Sequence, residues 1–141
     1  MKILLEEFDC NKGPYAAAIP REFSKLRQFA PLLSERELET EDWGAYKAIG
    51  RELRFDGLTV VVVTFSNGRP YMLSGVRVSA PQWQVTGHLR VGMEASEFFS
   101  RLGKPRVADG VWTISQLGPT ELFLTVKEGK IAVIDYACYT G

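Results

Sequence analysis

The sequence predicts an α+β fold: two units, each a helix followed by a three-stranded meander, form one antiparallel sheet with helices on one face. Three observations predict it. The chain nearly repeats itself sixty-one residues apart, where Gly57, Thr59, Thr64, Gly68 and Arg69 fall without a gap on Gly118, Thr120, Thr125, Gly129 and Lys130. Within the same match Val61 and Val63 fall on Leu122 and Leu124, and upstream Leu53 falls on Ile114. Asp56-Gly57 and Asn67-Gly68 are hairpin signals that bracket a β-branched run. Finally, Ala95, Phe98, Phe99 and Leu102 follow helical spacing.

Taken in order, Pro20 through Ala30 reads as a helix, with Phe23, Leu26 and Ala30 on one stripe and Pro31 ending it. Ser34-Glu35-Arg36-Glu37 has a capping-box pattern, which predicts a second short helix to Glu41. Trp43 to Phe55 reads as extended chain leading into a first strand, Leu58 to Phe65 as a central strand and Pro70 to Ser79 as its antiparallel return. A linker at 80–87 joins the units, about 20–79 and 88–139, within a single domain of 1–141. The second unit has its helix at 95–102, closed by Gly103 and Pro105, then strands at Val111–Leu117, Glu121–Val126 and Ile131–Tyr139.

Composition excludes several classes. Seventeen basic residues against seventeen acidic ones argue against a broad nucleic-acid surface. The longest apolar run, Val60 to Val63, is far too short for a membrane span. Charge is uneven, however: Glu35, Glu37, Glu39, Glu41 and Asp42 form an acidic run, and Arg101, Lys104 and Arg106 a basic cluster. No Walker or dinucleotide glycine pattern occurs, one histidine (His88) and two distant cysteines offer no zinc pattern, and no cofactor is expected. A solvent-facing His88 is preferred over a catalytic one, so the chain is read as non-enzymatic.

Cys10 and Cys138 lie near opposite ends. Paired, they would close a long loop worth on the order of 4 kcal/mol and favour an envelope or secreted location; unpaired, they are two small buried hydrophobes. The pair is the expectation adopted. The acidic residues after Met1-Lys2-Ile3-Leu4-Leu5 do not suit a secretory signal, which leaves a cytoplasmic protein or the mature form of an exported one.

Val91-Gly92-Met93, the helix after it, Leu102-Gly103-Lys104-Pro105, the aromatic Trp112 and Gly129-Lys130-Ile131 together resemble the BamE (SmpA/OmlA-like) and β-lactamase-inhibitor-protein-like folds. The resemblance covers 88–138, and a tandem arrangement extends it to 20–138. It implies a bacterial envelope inhibitor or assembly factor that grips a protein partner on its sheet. An immunity protein neutralising a toxin is the nearest alternative, and a small-ligand-binding or enzymatic domain using the same concavity the next.

Strand alternation supplies the contact residues. Across the Asn67-Gly68 hairpin Val63 opposes Met72 on one face and Val62 opposes Leu73 on the other; further along, Leu124 and Val133 share one face and Phe123 and Ile134 the opposite one. Both faces are then apolar, and the face without helices needs cover from the N-terminal segment, a second subunit or a protein partner. Tyr71, Phe123 and Tyr136 are expected on that face, with Trp83 as an edge contact.

Overall fold

The computed structural model describes residues 19–83, 89–117 and 120–138. Along the chain run α1 (Phe23–Leu26), β1 (Ser34–Asp42), β2 (Lys47–Phe55), β3 (Leu58–Phe65), β4 (Met72–Val78), α2 (Ala95–Ser100), β5 (Gly110–Leu117), β6 (Thr120–Lys127) and β7 (Lys130–Cys138). All seven strands form one antiparallel sheet in the order β1-β2-β3-β4-β7-β6-β5.

The α+β expectation is thereby corrected. Among the described residues the two helices have only four and six residues, which makes the fold mainly β and leaves them too short to form a helical layer over the sheet. The largest change is at residues 34–41, where a strand replaces the expected helix. A capping box starts a helix only if an apolar stripe at i, i+3, i+4 comes after it, and here the single aliphatic residue is Leu38. The segment instead carries acidic residues at every second position, the period of a strand. β2 supplies their partners: Arg36 Nε lies 3.1 Å from Glu52, and Arg51 lies 3.4 Å from Glu37 and 3.8 Å from Glu35. Charge along β1 also protects it as a sheet edge. α1 shrinks to one turn because Glu22 gives no side-chain cap and Pro31 limits the other end.

Turn chemistry sets most of the register. Lys127 pairs with Lys130 across Glu128 (φ 52°) and Gly129 (φ 75°), a two-residue loop with both φ values positive, as a type I′ turn requires. Asn67-Gly68 differs from expectation: it lies in a wider loop, and β4 pairs only from Met72 onward, because Pro70 has no N–H for the ladder. Two bulges then shift the register. Ser74 is the extra residue between the pairs Val61–Gly75 and Val62–Leu73, and Ala132 the extra residue between Thr125–Val133 and Val126–Ile131.

These bulges decide which side chains enter the core. Leu53, Phe55, Leu58, Val60, Val62, Leu73, Val76, Val78, Leu122, Leu124, Ile131, Ile134 and Tyr136 are all buried on one face. Leu26 of α1 and Ala95, Phe98 and Phe99 of α2 close over them. Full burial of Phe98 and Phe99 contributes roughly 1.5–3 kcal/mol each. α2 is tied to the start of β7 by backbone bonds from Ala95 N–H to the Gly129 carbonyl (2.9 Å) and from Ile131 N–H to the Met93 carbonyl (3.0 Å). The gap-free sequence match does not superpose equivalent positions, since Leu122 and Leu124 face this core while Val61 and Val63 face away from it. Among the described residues no helix is long and apolar enough to cross a membrane.

Candidate functional site

Opposite the core, the sheet presents an apolar surface where β1 to β4 lie side by side. Alternation fixes its floor: if Leu53, Val60, Val62 and Leu73 point inward, then Ala48, Gly50, Val61, Val63 and Met72 point outward. These residues line a groove of about 760 Å³. Met72 is 41% exposed on it.

A third bulge builds the β1 wall. Glu37 pairs with Arg51 and Thr40 with Ile49, so Leu38 and Glu39 together stand opposite Gly50. A Cβ on Gly50 would lie 3.4 Å from the Leu38 Cβ and 3.5 Å from the Glu39 backbone, ordinary van der Waals distances, so the wall packs against the floor without needing glycine there. The end wall is aromatic. Tyr46 meets Phe65 edge-on with ring centroids 5.8 Å apart, and Trp43 stands 62% exposed at the β1–β2 turn. That turn is held by Gly44 N–H to the Asp42 carboxylate (2.9 Å) and Trp43 N–H to the Tyr46 carbonyl (2.9 Å). Arg69 lies over the Phe65 ring at 5.6 Å.

Charge is distributed unequally along β1. Glu35 and Glu37 are matched by Arg27 and Arg51 toward the α1 side. Glu39 and Glu41 line the groove and have no ion-pair partner among the described residues. The groove rim is therefore apolar with an acidic side.

The residues expected to make contacts are not brought together. Tyr136 is 3% exposed and pairs with Val76 and Leu122 on the core face. The Ala132 bulge puts Ile134 opposite Leu124, whereas plain alternation grouped Ile134 and Tyr136 with Phe123. Val62, expected beside Phe123, is likewise in the core. Phe123 is on the open face, opposite Asp135, but on β6 rather than in the groove. Tyr71 packs edge-on against Phe23 and donates its hydroxyl hydrogen to the Pro20 carbonyl, on the α1 side of the sheet. Burial pushes its phenol up to about 12, with Arg21 acting in the opposite sense. Trp83 lies against Phe29 at 5.6 Å and donates its indole N–H to the Asp56 carbonyl at 2.6 Å. Cys138 is buried and is not a free thiol, while Cys10, His88 and residues 84–87 of the linker lie outside the described residues.

Among the described residues two carboxyls have displaced pKa values, and neither belongs to the groove. Burial raises that of Asp135 on the open face, opposed by Arg77 at 3.6 Å. Backbone N–H groups of Gly129 and Glu128 lower that of Asp109. Among the described residues no three His, Cys, Asp or Glu side chains converge on a metal-sized point. The chemistry available in the groove is thus apolar contact, aromatic stacking and attraction of positive charge.

Sequence reasoning missed Leu38, Glu39, Glu41, Trp43 and Tyr46 as a group, because the helix reading of 34–41 separated them from β2. The period-two spacing of Glu35, Glu37, Glu39 and Glu41 was the available signal. Compared with protein-family models, with curated proteins and with solved structures, the chain has no match.

Proposed function

We propose that the protein is a non-enzymatic protein-binding module that engages its partner through the open face of β1 to β4. The observation that carries this reading is the groove itself: Val61, Val63 and Met72 form an apolar floor that no described element covers, and Trp43 and Tyr46 border it. An exposed tryptophan and a half-buried tyrosine beside an apolar floor are the residue types of an interface centre. The resemblance of 88–105 to BamE-like and inhibitor-protein folds supports a role as a bacterial envelope inhibitor or assembly factor. So does a Cys10–Cys138 disulfide, which would suit an oxidising compartment. In this reading the contact residues move from Tyr71 and Tyr136 to the groove floor.

Selection from a displayed random-peptide library tests it. Enriched peptides are expected to lose binding to Val63→Arg and Met72→Arg and to keep it for Val111→Arg, which alters an exposed residue on the opposite edge strand. Met72→Arg is the milder change because its side chain is already 41% exposed. Peptides that bind all three variants like the wild type would overturn the proposal. A stable dimer that Val63→Arg dissociates would replace the foreign partner with a second copy.

A further inference from the structure

The groove rim constrains the chemistry of the partner, and this inference rests on the protein-binding reading just given. Glu39 and Glu41 line the β1 wall without an ion-pair partner among the described residues, whereas their neighbours Glu35 and Glu37 are matched by Arg27 and Arg51. Arg69 is the one cation among the lining residues, and it lies over the Phe65 ring on the far side. Three strand spacings separate β1 from β4, about 14 Å in all, which is wide enough for one peptide segment lying on the floor.

We propose that the groove takes a short cationic amphipathic segment of a protein partner. Its aliphatic side chains lie on Val61, Val63 and Met72, and its lysine or arginine side chains reach Glu39 and Glu41. A second copy of this chain fits less well than a cationic segment, because Arg69 is the one cation its own groove lining could bring to Glu39 and Glu41. A neutral or acidic segment gains the apolar contacts but leaves both carboxylates without a counter-charge.

Three synthetic peptides with one aliphatic pattern test this, the intervening residues being lysine, serine or glutamate. Calorimetric titration of the full chain is expected to give the order lysine, serine, glutamate. The lysine peptide should bind roughly tenfold more tightly than the serine peptide at low salt, with the gap narrowing as salt is added. Glu39→Lys with Glu41→Lys should reverse the order, and Glu39→Gln with Glu41→Gln should level it. Equal affinity of all three peptides, lost together in Val63→Arg, would overturn the charge inference while leaving the groove as the binding face. Absence of binding by any peptide would overturn both.

Discussion

Gly57 turns directly against Ala80: a Cβ on the glycine would stand 2.3 Å from the Ala80 Cβ, and the glycine φ is +76°. The β2–β3 turn therefore needs glycine for two separable reasons, backbone conformation and close approach. Gly57→Ala is expected to destabilise by about 3 kcal/mol, of which the positive φ accounts for roughly 1–2. Gly57→Ala combined with Ala80→Gly should recover the steric share. Urea unfolding of the two variants measures this, and equal losses would show that the contact contributes nothing.

Asp109 anchors the tight β6–β7 turn. Its carboxylate accepts the Glu128 N–H at 2.8 Å and the Gly129 N–H at 3.1 Å. These bonds favour the ionised form, so the folded-state pKa lies below the unfolded one. The contribution is complete above the ordinary carboxylate range and is lost as pH falls through the lowered value. Asp109→Asn is therefore expected to lower Tm at neutral pH, with a difference from wild type that shrinks on acidification. A difference that stays constant with pH would remove charge from the explanation.

Tyr71 works in the opposite sense at high pH. Burial raises its phenol to about 12 from an ordinary value of 10.0, so the unfolded chain ionises first. The stability this group supplies is present below about pH 10 and is lost as pH rises toward about 12. Tyr71→Phe should cost about 1–3 kcal/mol at neutral pH by leaving the Pro20 carbonyl without its donor. It should also flatten the alkaline decline. Thermal unfolding across that window checks both, and an unchanged alkaline slope would contradict the assignment.

Much of the sheet is legible in the residues. The β-branched run at 58–65, the Asp56-Gly57 turn and the three strands after Val111 are where alternation and turn chemistry place them. The helical spacing of Ala95, Phe98 and Phe99 is also correct for α2, whose inward side these residues form. Illegible were the extra residues Ser74 and Ala132. A bulge reverses which side chains face inward, yet serine and alanine carry no signal for one. That single step moved Tyr136 from an expected surface to the core. The groove was hidden for a related reason. Its β1 wall depends on tertiary pairing of a highly charged segment whose local pattern also suits a helix start.

The central claim, that the open face of β1 to β4 is the binding surface, is tested most directly by amide chemical-shift mapping. The labelled full chain would be titrated with the tightest peptide recovered from selection. Binding in the groove predicts saturable shifts at Glu41, Gly50, Val61, Val63 and Met72, with little change at Val111, Trp112 and Thr113 on the opposite edge. Shifts concentrated on β5, or on α1 and α2 over the core face, would contradict it.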